Sequence, residues 1–259
     1  MNELPNELRA VLSAPDDDAP RVAYADALDA RGEPEDAARA RFVRAQLSLG
    51  NLSSAEADSA PEALEALKLE DASGEQWAAM VLTHSERAGF YRGFVEHVHC
   101  SAATYVAHGG DLRASAPILH VTITKLDTSL DALLASPHIV GIRSLSLDRM
   151  ELTDTMLEQL SEASSLSALR WLSIAKNRVT QRGGEALAAS VTLPALSYVR
   201  FFGNDFDPSE RQGHDQGVVV ERWLPQQGRD LEAKFGSLRW LHVGAQTLED
   251  VVPDRFRIA

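Results

Sequence analysis

The sequence predicts an α/β fold: a solenoid of about six short parallel strands with outer helices, capped by an all-helical N-terminal module. Three observations lead there. An eleven-residue motif recurs at a fixed interval in the second half of the chain. A helix-patterned, acidic segment precedes it. The composition, 44% hydrophobic and 24% charged over 259 residues, fits a chain that buries a sizeable core and suggests neither disorder nor a fibre.

The motif sets the solenoid. Ile142 to Leu152 (IRSLSLDRMEL), Leu169 to Val179 (LRWLSIAKNRV) and Leu196 to Phe206 (LSYVRFFGNDF) align on L-x-x-L-x-L-x-x-N-x-L, with starts 27 residues apart. That is the length and pattern of a leucine-rich repeat with a helix on its outer side. Apolar residues at the first, fourth and sixth positions point into the core from a short strand, and those between point outward. Asn177 and Asn204, at the ninth position, suit a buried turn where an amide satisfies backbone groups of adjacent coils. The unit beginning at Ile142 has Met150 there and lacks that bond. Asp154 to Leu160 and Gly184 to Ser190 supply outer helices, with Gly183-Gly184 read as the turn entering the second of these. Weaker copies flank the three at Val95 to Cys100 and Ile118 to Ile123, with spacings of 23 and 24 residues. A sixth strand is expected at Leu238 to Val243, starting 42 residues after Leu196. An insertion from about 207 to 235 therefore interrupts the solenoid domain, 91–259.

The module 1–90 reads as helical throughout. Leu4 to Ser13 is a helix. Asp16-Asp17-Asp18 caps the next, with Pro20 in its first turn and Gly32 at its end. A third helix runs from Glu35 to Leu49. Asn51 to Ala60 reads as a loop, followed by helical segments at Pro61 to Glu70 and Gly74 to Thr83. Because an open first strand would expose backbone groups and apolar core, this module is expected to cover that edge of the solenoid.

Charge and cysteine content narrow the function classes. Residues 1–90 carry 18 acidic against 8 basic side chains, and the remainder 20 against 17, for a net charge of -13. Without a basic cluster, nucleic acid is not an expected partner. The N-terminus has neither the basic region nor the apolar run of a signal peptide, and no stretch approaches membrane-spanning length, so the expected setting is the cytoplasm without membrane attachment. The sole cysteine, Cys100, falls at a core-facing position and reads as an inert buried thiol.

The N-terminal residues also carry a family likeness. Asp16-Asp17-Asp18-Ala-Pro20-Arg21-Val-Ala-Tyr24-Ala25-Asp26, Arg31-Gly32-Glu-Pro34 and Arg41-Phe42-Val43-Arg44-Ala-Gln46 resemble the repeat-companion domain found beside leucine-rich repeats in planctomycete and myxobacterial proteins. Trp77 and Phe90-Tyr91-Arg92-Gly93-Phe94-Val95 are similar to the segment joining that domain to the first strand. Ala27 departs from the pattern, which usually has Trp there. The family has no established activity, so the resemblance implies architecture and bacterial origin and not chemistry. Within the module, Arg21, Tyr24, Asp26, Arg41 and Arg44 present two readings, a pocket or, preferred, an Asp26–arginine pair that fixes helix packing.

Outward strand positions define the candidate site. They are His97 and His99; His120 and Thr122; Ser144 and Ser146; Trp171 and Ser173; Tyr198, Arg200 and Phe202; Trp240 and His242. The C-terminal half gathers Trp171, Tyr198, Arg200, Phe202, Trp240 and His242, side chains of the kinds that dominate protein interfaces. The competing reading packs these aromatics against the 207–235 insertion. His97, His99 and His120 have the spacing for a three-imidazole metal site. No outward Asp or Glu stands beside them, however, and Asp148 is a strand away, so they are read as partner-contacting and no metal or cofactor is expected. Phosphate loops, paired carboxylates and triads are absent from the sequence.

The expectation is thus a non-enzymatic protein-binding adaptor or regulator, monomeric when free, using the concave strand face on a partner protein. A dedicated inhibitor or immunity-type protein of a toxin or protease is the alternative, and a metal-dependent enzyme the third class.

Overall fold

The computed structural model describes residues 5–50, 52, 54–215 and 218–242. The fold is α/β, with a larger sheet that is mainly parallel. The chain divides into two compact units, residues 1–99 with 107–119, and residues 100–106 with 120–259. The division falls inside a strand and inside a helix, not at residue 90.

The first unit begins with α1 (Asn6–Ser13), α2 (Ala19–Arg31) and α3 (Pro34–Gly50). Gly32 ends α2 at φ 75°, a left-handed position that favours glycine. The N-terminal cap of α2 comes from Asp17, whose carboxylate accepts the Ala19 N–H at 2.9 Å. The expected loop before residue 60 contains a short α4 (Ser54–Ser59), with Asn51 and Ser53 outside the described residues. The two helical segments after it are one helix, α5 (Pro61–Leu82), continuous through Gly74. Gly74 is buried there, where a Cβ would come within 3.0 Å of Glu70 Cγ and touch Phe90 at 3.5 Å.

The unit is not all-helical. Tyr91 and Phe94 close an antiparallel hairpin of β1 (Arg87–Tyr91) and β2 (Phe94–Cys100), with a bulge at Gly89/Phe90. Its turn has Arg92 at φ 47° and Gly93 at φ 83°. A Cβ on Gly93 would lie 2.6 Å from the Val43 backbone, and its N–H donates to Gln46 Oε1 at 2.8 Å. Only glycine meets both demands. Val11, Ala25, Leu28, Ala40, Val43, Leu47 and Phe94 form one core cluster. Arg39 is enclosed by Phe42, Trp77, Phe90 and Phe94, 4.6 to 5.5 Å from the ring centroids. Helix α6 (Ala102–Ser115) follows β2, and its residues from 107 onward belong to this unit.

In the second unit β3 (His120–Ile123), β4 (Ser144–Ser146), β5 (Trp171–Ser173) and β6 (Tyr198–Arg200) pair in sequence order, all parallel. Ser144 pairs with Trp171 and Trp171 with Tyr198, so the register steps by the 27 residues of the motif. Helices α7 (Leu130–Leu134), α8 (Asp154–Glu162) and α9 (Gln181–Ala188) alternate with the strands. Leu145, Leu172 and Val199 are fully buried beneath them. Asn177 does what its position predicts: Oδ1 accepts the Met150 and Leu152 N–H groups at 2.8 and 3.0 Å, and Nδ2 donates to Leu147 O and Ile174 O. Asn204 repeats the pattern with Val179 N–H, Ile174 O and Phe201 O.

Two expectations are corrected here, the Gly183-Gly184 turn and the sixth strand, and the insertion, for which the sequence predicts no elements, is filled in. Gly183 and Gly184 lie within α9 and not in a turn, because a Cβ at 184 would overlap the Phe206 ring. The insertion is ordered into a hairpin, β7 (Arg211–Asp215) with β8 (Val218–Trp223), and a helix, α10 (Gln226–Phe235). The sixth strand is instead a 3-10 turn, Arg239–Leu241, with Val243 outside the described residues. Together with the antiparallel β1, this leaves four strands of the parallel ladder in the second unit.

Candidate protein-docking surface

Alternation along β5 and β6 decides which side chains leave the core. Leu172 and Val199 point in, so Trp171, Tyr198 and Arg200 stand on the opposite face. Trp171 and Tyr198, register partners on adjacent strands, stack at 5.8 Å with their rings 18° apart. Such a cross-strand aromatic pair gives a flat, preformed contact surface at little cost in side-chain entropy.

Arg200 extends the surface. It is exposed, and Asp148 Oδ2 lies 3.5 Å from its guanidinium. Asp148 is itself held by the Ser173 hydroxyl at 2.5 Å and the Ala175 N–H at 2.8 Å, so the arginine has a fixed anchor. Just beyond β6, Phe202 is 55% exposed, with Lys176 Nζ 5.9 Å from its ring centroid. A large apolar side chain left in water beside a cation is the kind of feature that marks an interaction surface.

The other rows offer little. His120 Nδ1 is hydrogen-bonded to Ser144 Oγ at 2.8 Å, and both residues are buried, as are Ser146 and Ser173. The aromatic character is therefore confined to β5 and β6.

Two residues expected in the strip fall elsewhere. Trp240 is only 5% exposed and packs on Phe201 at 5.7 Å, because the 3-10 turn directs its ring into the core and not onto the strand face. His242 sits at the end of that turn, with Nε2 2.8 Å from Glu232 of α10. Of the insertion, helix α10 packs on α9, where Lys234 meets Glu185 at 2.5 Å, on the outer-helix side. The candidate surface reduces to Trp171, Tyr198, Arg200 and Phe202.

The first unit brings together other predicted residues. Arg44 bridges Asp26 at 2.7 Å and Asp29 at 2.6 Å, pairing α3 with α2. A cleft of about 390 Å3 in this unit is lined by Tyr24, Arg39, Trp77 and Phe94, and Arg21, Asp26, Arg41 and Arg44 are not among its walls. Arg21 is fully buried, with Nη2 2.7 Å from buried Glu96. The His97 and His99 rings lie 4.3 Å apart on β2, and burial pulls the His99 pKa down.

Sequence reasoning passed over His84, His108 and Asp111, which the fold gathers into one cluster. The only local signal was the i, i+3 spacing of His108 and Asp111 on α6. Comparisons with protein-family models, with curated proteins and with solved structures found no match for this chain.

Proposed function

We propose that the chain is a non-enzymatic adaptor or regulator, a leucine-rich-repeat solenoid with a repeat-companion module, that docks a partner protein on its β5–β6 face. The observation that supports this reading is the Trp171–Tyr198 stack flanked by exposed Phe202 and Arg200. Trp, Tyr and Arg are the side chains on which interface energy concentrates, and two of these rings are already oriented before binding. The partner that fits presents an apolar side chain to the rings and a carboxylate to Arg200 and Lys176.

The test compares variants that separate docking from folding. A partner captured from the source cells by the parent chain is purified and its affinity measured by calorimetry. Trp171→Ala and Phe202→Ala should each weaken binding about tenfold or more, roughly 1.4 kcal/mol, with unchanged melting temperatures. Glu162→Ala, at an exposed position of α8, should bind as the parent does. Trp240→Ala should instead lose stability, by about 3 to 5 kcal/mol as buried aromatic truncations do. Normal binding by both strip variants would overturn the proposal.

A further inference from the structure

We propose that His84, His108 and Asp111 form a binding site for one divalent transition-metal ion of the zinc class. Three donor atoms, one from each residue, lie within 4.8 Å of one another. Asp111 Oδ2 is the centre of the group, 3.4 Å from His108 Nδ1 and 3.9 Å from His84 Nε2. Ligands on a tetrahedral zinc with bonds near 2.0 Å stand about 3.3 Å from each other, so the cluster is close to the size one ion requires. A contraction of the group and a turn of one ring complete the fit.

The elements that carry the ligands are well placed for this. His84 follows the end of α5, where its N–H donates to Val81 O at 3.0 Å and pins the turn. His108 and Asp111 stand one turn apart on the same face of α6. All three belong to the first unit. The imidazole rings are stacked, with centroids 3.9 Å apart and planes 5° from parallel, so their in-plane lone pairs run side by side. Rotation about the terminal torsion of one ring, a broad and soft coordinate, turns its lone pair toward the axis of the other. Side-chain exposures of 30% for His84 and 42% for His108 leave room for that rotation and for solvent to complete the coordination.

Donor chemistry selects the ion. Two imidazoles and one carboxylate suit zinc, nickel or copper, whereas magnesium and calcium take oxygen ligands in larger numbers. Bound there, the ion ties the turn after α5 to α6. This role is independent of the β5–β6 surface, and it replaces the sequence-level expectation that no metal is held.

The experiment is titration of the full chain, purified without a histidine tag, with zinc chloride in a calorimeter and with cobalt chloride in a visible spectrometer. The parent should take up one ion per chain and show cobalt d–d absorption, with no uptake of magnesium. His84→Ala, His108→Ala and Asp111→Asn should each weaken binding by more than about tenfold, since loss of even an indirect partner of a ligand commonly costs that much. A His97→Ala/His99→Ala double variant should bind as the parent does. Circular dichroism establishes that each variant is folded, and zinc should raise the melting temperature of the parent but not of His108→Ala. Absence of zinc uptake by the parent would overturn the site, as would unchanged affinity in a folded His84→Ala/His108→Ala variant.

Discussion

The two units bury polar groups in different ways. In the first, the buried polar side chains include the charged residues Arg21, Glu96 and Arg39, along with Gln46 and His97. In the second, among the described residues, they are serines, Asn177 and His120. The difference follows from backbone regularity. A repeated strand-and-turn register presents the same N–H and C=O groups at each step, so a neutral amide such as Asn177, bridging the turns at Met150 and Leu152, satisfies them without bringing charge into the core. The first unit has no such repeat. Its loop before α2 and its hairpin turn leave Pro15 O, Asp16 O and Arg92 O to be met, and guanidinium groups reach them: Arg21 donates to Pro15 O and Arg92 O, and Arg92 to Pro15 O and Asp16 O. Glu96, within 2.7 Å of Arg21 and 3.1 Å of Arg92, balances the charge thus buried.

The largest effect expected from this contrast is at Arg21. Arg21→Met removes a buried ion-pair partner of Glu96 and the donor to two carbonyls, and such losses typically cost about 3 to 5 kcal/mol. Hydrogen exchange should show the loss in α2 and β2. If exchange there is unchanged, the charge network is not what holds the first unit. The network also predicts a pH signature. Burial pushes the Glu96 carboxyl up to about 7, against the opposing pull of Arg21 and Arg92, from an ordinary value of 4.5. A raised folded-state value means that this group's contribution is fully present below pH 4.5 and is lost as pH rises through about 7. The stability of the parent relative to Glu96→Gln should therefore be greater at pH 5 than at pH 8. A difference constant across that window would remove burial as the controlling cause.

In the second unit the corresponding break is Asn177→Leu. It deprives two N–H groups and the Leu147 carbonyl of their side-chain partner, while Ile174 O keeps Asn204 Nδ2, at an expected cost of about 1 to 3 kcal/mol in urea denaturation. Met150→Leu, a volume-conserving change at the equivalent position of the preceding motif, should cost less than about 1.5 kcal/mol. Equal losses at the two sites would show that the amide contributes no more than its bulk.

This contrast also explains which parts of the molecule were legible in the sequence. The strands β3 to β6 were, because each core position is specified locally and then repeated 27 residues on for the last two steps. Asn177 was legible for the same reason. Trp240 was not: Leu238-Arg-Trp-Leu241 imitates the strand motif, but its ring completes the layer of Phe201, and that demand is set by packing at the end of the ladder. Gly183 and Gly184 read as turn formers until Asp154 and Val179 at the first, and Phe206 at the second, show why the helix needs them bare. Arg21 with Glu96, and His84 with His108, are partners from distant segments whose meeting no local period encodes. The Trp171–Tyr198 half of the docking strip could be read from register, whereas Trp240 and His242 required a strand that does not form.

The smallest effect sharpens the comparison by removing burial from it. Arg44 holds Asp26 and Asp29 with two short contacts, yet its side chain is 40% exposed. Arg182 makes a similar fork in the second unit, with Nε and Nη2 at 2.7 and 3.0 Å from the two oxygens of Glu158, and it is 67% exposed. Water competes for such pairs, and holding long side chains in one geometry costs entropy, so exposed forks contribute little. Arg44→Ala should cost no more than about 1 kcal/mol, and the loss should shrink further in high salt. Arg182→Ala should leave the unfolding midpoint of its unit within error of the parent. The two units should thus differ widely when a buried arginine is removed and hardly at all when an exposed one is. A loss at Arg44 as large as that at Arg21 would mean that the first unit depends on charge pairing as such, and that burial is not the feature that sets it apart.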